Sequence, residues 1–516
     1  MLADRLQRSF QSFAANHAIS MGKQTITYEA LNAKACRIGN AIQHAAPAFP
    51  GPVAILGSAG PETCAAICGT LFSGRAYMPL NPRFPDARNR KMLDLSGVRT
   101  IFCEMASLAL LPGLLSDRKN MTIICENIPA SLPQSMPQHR FLACENKQEE
   151  LLPAEKPCPG DTAYLLFTSG STGTPKGVPV SNANVTAYLD HVLSRWDFFE
   201  EDRFSQTFDL TFDLSVHDMM VCWLSGACLC IPPDPSPLKL ASYIREEDLS
   251  VWFSVPSAAM LMDRMRLLKK DAFGNIRLSF FCGEALPVIL AEKWFEATGG
   301  KAVINLYGPT EATIAISACE YGREQPKSKN GIACIGKIFD KQEYCLLEPG
   351  TMNAVRHQGE LCLRGSQVIS EYLNDEDLNA KYLLDIEGTG PGKWYRTGDL
   401  VEEDAGGDLF YLGRTDAEVK ILGYRVNLHE VDAIMADACG TAEVASAAAE
   451  YKGRMLITGF VGGGSRQDEA AIIRHCRKSL PWYMIPERII FVEELPLNDN
   501  GKIDRNKLKE LLNDQK

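Results

Sequence analysis

Short apolar runs alternate with helix-period segments over the first part of the chain. Val53-Ala-Ile-Leu56, Thr100-Ile-Phe-Cys103 and Met121-Thr-Ile-Ile-Cys125 have the length and β-branched content of buried strands. Residues 61–68, Pro-Glu-Thr-Cys-Ala-Ala-Ile-Cys, have helix-like spacing. Such alternation predicts an α/β sheet with parallel strands. A polar, proline-containing segment at residues 149–159 breaks the pattern and reads as a surface connection. A second α/β stretch runs from about residue 163 to 316. From about residue 331 to 412 the pattern turns strand-rich, with turn signals at Glu348-Pro-Gly350 and Gly406-Gly407, which predicts a smaller β subdomain. The end of the chain has its own short α+β pattern. It includes a helix-like segment at 468–479 and a basic helix at 505–512.

The fold class expected is therefore α/β. A large N-terminal domain of two α/β subdomains plus a β subdomain spans residues 1–414, and a small α+β C-terminal domain spans 415–516. The length of 516 residues exceeds one ordinary core. The N-terminal Met-Leu-Ala-Asp-Arg-Leu-Gln-Arg-Ser-Phe segment is amphipathic and lacks the apolar stretch of a secretory signal. No run reaches the ~18 apolar residues of a membrane span.

Charge and cysteine content narrow the picture further. A formal net charge of −11 argues against non-specific nucleic-acid binding and against docking on acidic membranes. The 17 cysteines are odd in number and scattered, so they are expected to be reduced thiols in a cytoplasmic protein. Cys64 with Cys68, and Cys228 with Cys230, lack a second ligand pair at zinc spacing. They are expected to be small buried hydrophobes.

The chemistry is most visible at residues 164–178. There an apolar strand runs into Thr168-Ser169-Gly170-Ser171-Thr172-Gly173-Thr174-Pro175-Lys176. Glycines let backbone N–H groups approach an anion closely, hydroxyls add donors, and Lys176 adds a positive charge. A Walker loop needs Gly before the lysine and Ser or Thr after it, and neither is present. A glycine/serine linker is disfavoured because a buried strand leads straight into the segment.

This loop resembles the signature of the adenylate-forming superfamily: acyl-CoA synthetases, luciferases and the adenylation domains of non-ribosomal peptide synthetases. Further motifs follow in the family's order over nearly the whole chain, from Ile26-Thr-Tyr-Glu-Ala-Leu31 to Asn500-Gly-Lys-Ile-Asp-Arg505. Leu71-Phe-Ser-Gly-Arg-Ala-Tyr-Met-Pro-Leu80 resembles a motif with a structural role. In Asn305-Leu306-Tyr307-Gly308-Pro309-Thr310-Glu311, the resemblance implies that Tyr307 stacks on adenine, Asn305 bonds the base edge, and Gly308 and Thr310 line the nucleotide site. Glu311, with Thr168, would hold Mg2+; a carboxylate suits a hard cation shared with phosphates. Cys282-Gly283-Glu284-Ala285-Leu286 resembles the loop on the other side of the base. Asp399, in Tyr395-Arg-Thr-Gly-Asp399, would grip both ribose hydroxyls. In Gly413-Arg-Thr-Asp416, Arg414 would contact ribose or phosphate and Asp416 would be the hinge of a mobile C-terminal domain. Lys502 is the expected catalytic residue alongside Glu311, reaching the α-phosphate and the substrate carboxylate as charge develops between them. Lys420-Ile-Leu-Gly-Tyr-Arg425 resembles the face swung in for the second half-reaction. Asn427 stands where the family more often has an acid.

The substrate is expected to be a small amino acid. Asp213, in Phe212-Asp-Leu-Ser215, matches the aspartate that pairs with an α-ammonium in amino-acid-activating members; a helix N-cap is its plain alternative. Asp209 stands in the wrong register. The resemblance sets Leu214, His217, Phe253, Phe280, Cys282, Leu306, Ile314 and Ala315 around the side chain. The pattern looks most like D-alanine–carrier protein ligases, with His217 the departure: it either bonds a polar substrate side chain or is a satisfied core histidine.

The cofactors implied are ATP and Mg2+, and the partner is a separate phosphopantetheinylated carrier protein. About a dozen residues follow Lys502, too few for a fused carrier domain. Gly462-Gly-Gly-Ser465 is expected to be a hairpin loop and not a pantetheine site. The alternatives are an adenylation enzyme for another amino acid in secondary metabolism, an acyl-CoA or aryl-CoA ligase, and a nucleotide-binding regulator without catalysis. Asp213 disfavours the second. Retention of Lys176, Glu311, Asp399, Arg414 and Lys502 together disfavours the third.

Overall fold

The computed structural model describes residues 1–45, 51–144, 157–170, 174–234, 237–321, 327–386, 389–390, 392–441, 443–451, 454–463, 468–497 and 503–513. Most of the predicted surface connection, 149–156, lies outside the described residues, as do Ser171, Thr172, Gly173 and Lys502. The chain divides into two compact units. The larger comprises residues 1–82, 93–166 and 177–415, and the smaller comprises 83–92, 167–176 and 416–516. The main break falls one residue beyond the expected 414/415 boundary. Two short segments, one of them the phosphate-type loop, group with the smaller unit.

The larger unit is built on two mainly parallel sheets. In one, strands run in the order Arg140–Ala143, Thr122–Cys125, Thr100–Cys103, Val53–Leu56, Tyr77–Leu80, Thr162–Thr168 and Lys176–Ser181. The expected runs at 53–56, 100–103 and 121–125 are its central strands, buried at every position from Val53 to Leu56 and from Thr100 to Cys103. Buried on both faces, such strands read as continuous apolar runs. The second sheet has nine strands. Its parallel centre places Val251–Ser254, Leu278–Phe281 and Ala302–Tyr307 side by side, with Phe253 opposite Phe280 and Phe280 opposite Ile304. The N-terminal helix Leu2–Ser12 buries Leu2, Leu6 and Phe10, a stripe of one helix face, and Phe10 meets Tyr28 and Trp223 edge-on.

The predicted β subdomain is an antiparallel sheet of Gln342–Leu347, Gln358–Gly365, Trp394–Glu403, Leu383–Leu384 and Leu409–Arg414. Both turn signals fall between paired strands. At the second, the Asp404 carboxylate accepts from the N–H groups of Gly406 and Asp408 and closes the loop.

The smaller unit has its own core. A three-stranded sheet of Val444–Tyr451, Arg454–Val461 and Arg488–Phe491 packs with the helices Leu428–Cys439, Glu469–Ser479 and Arg505–Asn513. Asp468 caps its helix by accepting from Ala470 N–H. The predicted helices at 468–479 and 505–512 are both present. Gly464 and Ser465 of the Gly462–Ser465 segment lie outside the described residues, but the element before it is the strand Arg454–Val461 and the next is the helix Glu469–Ser479, so the expected hairpin, which needs a strand on each side, is corrected.

Cysteine behaviour divides. Cys64, Cys68, Cys228 and Cys230 are buried thiols as expected, and among the described residues no cluster of metal-ligating side chains exists. Burial pushes the Cys64 thiol up to about 12, far from thiolate chemistry at neutral pH. The expectation that all cysteines are reduced is corrected for one pair: Cys319 and Cys334 form a disulfide. The strand Ser317–Tyr321 and the segment after Ile332–Ala333 bring them together, a proximity set by sheet pairing that spacing alone does not reveal. Among the described residues no helix is long and apolar enough to cross a membrane.

Helices Tyr28–Ala45 and Pro61–Phe72 pack most closely at Gly69, where a Cβ would stand 2.4 Å from the Ala35 carbonyl oxygen. Backbone cannot yield as a flexible side chain would. Gly69→Ala is expected to destabilise the larger unit by about 1–3 kcal/mol, read as a lower urea midpoint. An unchanged midpoint would show that the helices separate freely.

Candidate active site

The strand Ala302–Tyr307 ends at its carboxyl edge in Asn305, Leu306 and Tyr307, and open α/β sheets bind ligands at that edge. Asn305 donates through Nδ2 to the Cys334 carbonyl (2.8 Å), while its buried Oδ1 has no hydrogen-bond partner among the described residues. A buried amide oxygen without a donor is costly. An adenine amino group is a donor of the right kind for it.

Asp399 organises the other side. One carboxylate oxygen accepts from the Tyr307 hydroxyl (2.5 Å) and the other from Arg414 Nη1 (2.6 Å). Arg414 Nη2 also donates to the Thr397 carbonyl, and the Thr397 hydroxyl accepts from the Asp399 N–H. An ionised carboxylate has about four acceptor positions, so Asp399 can take both of these bonds and still receive two ribose hydroxyls. Burial first, then the Asp399 charge, pushes the Tyr307 phenol well above its ordinary range, so it stays a donor.

Glu311 is fully buried, and its Oε1 accepts from the Tyr372 hydroxyl at 2.8 Å. Tyr372 was not visible as a site residue in the sequence, being sixty-one positions away. Between Glu311 and the next strand the chain makes an unusual turn: Thr313 and Ile314 both have positive φ, at 57° and 70°. For β-branched residues this region is strained. Gln367 splints the turn, accepting from the Thr313 hydroxyl through its backbone carbonyl (2.6 Å) and donating from Nε2 to the Ala315 carbonyl (2.7 Å). Gly308 lies so close beneath that a Cβ there would be 2.6 Å from Ala315 Cα. The strain holds Ile314 and Ala315 in place, both fully buried. Nothing in the local sequence marks Gln367 as their support.

Gly283 has a φ of 87°, and in the same loop Glu284 accepts from the Ser257 N–H at 2.8 Å, tying it to the helix Pro256–Arg264. Thr310 begins a short 3-10 turn with Glu311. Ala285 stands between Glu284 and the buried Leu286.

Asp213 directly precedes the helix Leu214–Leu224 but makes no side-chain cap hydrogen bond, so the plain capping role is not what holds it. It is buried among tyrosines: after desolvation, its charge contributes to pushing up the phenols of Tyr77, Tyr164 and Tyr188. Asp209 by contrast is engaged in its own turn with Thr211 and with Asn81. Leu214, Cys282 and Leu306 are buried. His217 is fully buried; its Nδ1 shares a 2.7 Å hydrogen bond with the Tyr188 hydroxyl, and its Nε2 has no hydrogen-bond partner among the described residues. Burial pushes its pKa down to about 3, so the ring is neutral at physiological pH.

In the smaller unit, the loop described as phosphate-type is held by the hairpin Glu418–Ile421 and Tyr424–Asn427. Lys176 is buried and pairs with Glu418 at 3.2 Å, and Glu418 also pairs with Arg425. Ser169 donates to the Arg425 carbonyl (2.7 Å) and accepts from the Asn427 N–H (3.0 Å). Gly170 N–H reaches Glu430, which also pairs with Arg88. A Cβ at Gly170 would overlap the Thr174 carbonyl, so glycine is required there. Among the described residues the buried Thr168 hydroxyl has no hydrogen-bond partner; its oxygen is of the hard type that Mg2+ takes. Asn427 caps the helix Leu428–Cys439 by accepting from His429 N–H, a role the departure from an acid permits. Asp416 accepts from the Glu418 N–H at the start of the unit.

Lys502 lies outside the described residues. Leu497 and Ile503 form an antiparallel bridge, and Asp504 N–H donates to the Pro496 carbonyl at 2.8 Å. Arg505 then anchors the terminal helix to Asp432 and the Ser446 carbonyl.

The buried Lys176–Glu418–Arg425 triad has one carboxylate for two cations. Removing it in Glu418→Ala leaves both cations buried without it, which typically costs about 3–5 kcal/mol. The expected outcome is a large fall in the denaturant midpoint of the smaller unit, followed by hydrogen exchange at residues 418–427. Protection unchanged from the parent would mean the triad is solvated in solution.

Comparison with known proteins follows the same lines. The family model for AMP-binding enzymes matches residues 6–373, and that for the AMP-binding enzyme C-terminal domain matches 430–502. The L-proline–[L-prolyl-carrier protein] ligase of Pseudomonas fluorescens is 28% identical over 511 residues, covering 98% of each chain. The D-alanine–D-alanyl carrier protein ligase of Bacillus anthracis is 28% identical, covering 94% of each. A dimodular nonribosomal peptide synthase of Bacillus subtilis is 31% identical, and the chain spans 20% of its length. The crystal structure of the Vibrio cholerae adenylation domain AlmE with glycyl-adenosine-5'-phosphate superposes with a TM-score of 0.90 at 30% identity, covering 100% of this chain and 98% of that one. With both family models matched in order over the chain, it belongs to the AMP-binding enzyme family.

Proposed function

We propose that the protein activates a small amino acid with ATP as an aminoacyl-adenylate, releases pyrophosphate, and transfers the aminoacyl group to the phosphopantetheine thiol of a separate carrier protein. The observation that carries this reading is Asp213. It is a buried carboxylate at a helix start that does not cap the helix. A carboxylate in this position can pair with a substrate α-ammonium, a charge-assisted contact of the strong kind. The amino-acid–carrier protein ligases that resemble the chain over nearly its full length support the same reading.

In the first step the substrate carboxylate attacks the α-phosphorus of ATP and pyrophosphate leaves. Asn305 and Tyr307 hold the base, Asp399 and Arg414 hold the ribose, and Asp213 orients the amino acid through its ammonium. Binding in a reactive pose supplies much of the acceleration. Mg2+ would neutralise phosphate charge, and Glu311, with its carboxylate aimed by Tyr372, is the residue of the larger unit that fits it. Lys502 stabilises the charge that develops between carboxylate and α-phosphate. In the second step the carrier thiolate attacks the mixed anhydride at the acyl carbon, and AMP leaves. Asp416 is the proposed hinge. It stands at the junction of the two units' main segments.

Asp213→Asn keeps the shape and removes the charge. Amino-acid-dependent ATP–pyrophosphate exchange is expected to fall at least about 100-fold in kcat/KM, equivalent to one lost charge-assisted bond. ATP binding should be unchanged. In parallel, Lys502→Ala should abolish exchange while ATP still binds. If Asp213→Asn exchanges at the parent rate, or if only non-amino carboxylates support exchange, the amino-acid reading is wrong.

A further inference from the structure

We propose that the hydrogen-bonded Tyr188–His217 pair, wedged against Phe253 and Phe280, closes the side-chain end of the amino-acid pocket, so that glycine is the preferred substrate. This rests on the amino-acid-activation reading and sharpens it.

His217 follows Asp213 by four residues on the helix Leu214–Leu224, so the two lie on one face, one turn apart. Side chains on a helix lean toward its N-terminus, which inclines His217 toward the end where Asp213 stands. Asp213 is 7% exposed, whereas His217, Phe253 and Phe280 are all 0% exposed. The His217 ring meets Phe253 edge-on at 4.7 Å and Phe280 at 5.3 Å. Those rings are backed in turn, Phe280 by Trp196 at 5.2 Å and Phe253 by Phe208 at 5.0 Å. The strand register that sets Phe253 opposite Phe280 fixes both from the backbone. The Tyr188 hydroxyl, from the separate helix Asn182–Arg195, fixes the imidazole itself.

An amino acid whose ammonium sits on Asp213 and whose carboxylate faces the nucleotide has one group left to place, its side chain. The ring cluster lies at that end of the helix face and is already packed. A single methyl group in such a wall changes kcat/KM by roughly 10- to 200-fold. A neutral imidazole attracts neither acidic nor basic side chains, which leaves size as the main criterion. One feature favours a rival: the unpartnered Nε2 of His217 is able to bond a hydroxyl, so serine is the competitor that must be tested.

The experiment is ATP–pyrophosphate exchange by the full chain with glycine, L-alanine, D-alanine, L-serine, L-proline and a short fatty acid. The expected result is glycine ahead of each other amino acid by at least about tenfold in kcat/KM. His217→Ala and Tyr188→Phe should narrow that lead, His217→Ala by tenfold or more for alanine and serine, with KM for ATP unmoved. Tyr188→Phe keeps the aromatic volume, so it reports on the pair if His217→Ala fails to fold. Serine, alanine or proline ahead of glycine would overturn the plug while leaving amino-acid activation intact. An undiminished glycine lead in both variants would overturn the role of the pair. Exchange with the fatty acid alone would overturn the amino-acid reading itself.

Discussion

The larger unit depends on one constraint, the parallel register of Val251–Ser254, Leu278–Phe281 and Ala302–Tyr307. Parallel strands end at a common edge, and the loops that leave that edge are short enough to share a site. Phe253 and Phe280 face each other through this register, Cys282 and Gly283 follow one strand, and Asn305 to Tyr307 finish the next. The residues proposed to face the substrate and the base are thus spaced by sheet geometry, about 4.8 Å per strand, before any side chain makes a hydrogen bond. The strained turn at Thr313 and Ile314 continues the same logic. It is held by Gln367 from a different subdomain's sheet region, so the pocket wall inherits rigidity from outside its own segment.

Both units bury charge, and they do so in different ways. In the larger unit, Asp399 sits between a phenol and a guanidinium, which orient it while acceptor positions remain for a ligand. In the smaller unit, Glu418 is committed to Lys176 and Arg425, and Glu430 to Arg88 and the Gly170 N–H. Such pairs gain little in stability over apolar packing but penalise any arrangement that separates the partners. A lysine suited to phosphate is therefore held by a carboxylate in this arrangement of the smaller unit. Phosphate oxygens would compete with Glu418 for the same ammonium.

Much of the site was legible from the chain because its chemistry is local. The glycine and hydroxyl run around Ser169 and Gly170, the Asn305–Glu311 motif and the Asp399 motif each carry their meaning within a few residues. The strands at 53–56 and 100–103 were equally plain, since burial on both faces leaves an unbroken apolar run. What escaped notice acts at a distance. Tyr188 reaches His217 across 29 positions, Tyr372 reaches Glu311 across 61, and Lys176 meets Glu418 across 242. No periodicity encodes such meetings; only the topology does. The same holds for Cys319 and Cys334, whose pairing comes from strand placement. The Gly462 segment misled for the opposite reason. Glycines and serine signal a turn reliably, but not which element the chain enters next, here a helix capped by Asp468.

His217 shows how a residue of ambiguous meaning acquires one from its surroundings. In the chain it was either a hydrogen-bonding group for a substrate or a core histidine. In the fold it has features of both: one nitrogen satisfied by Tyr188, one without a partner, and a ring packed on two phenylalanines. A core histidine that merely filled space would be replaceable by leucine at little cost, and the Tyr188 hydroxyl would then lose its partner inside the protein. The phenol–imidazole bond therefore constrains two helices, Asn182–Arg195 and Leu214–Leu224, to one relative position. Because Asp213 opens the second of these helices, that bond also bears on where its carboxylate stands. In the proposed reading, the contact with the ammonium at Asp213 and the limit on bulk at His217 then come from two ends of a single helical turn.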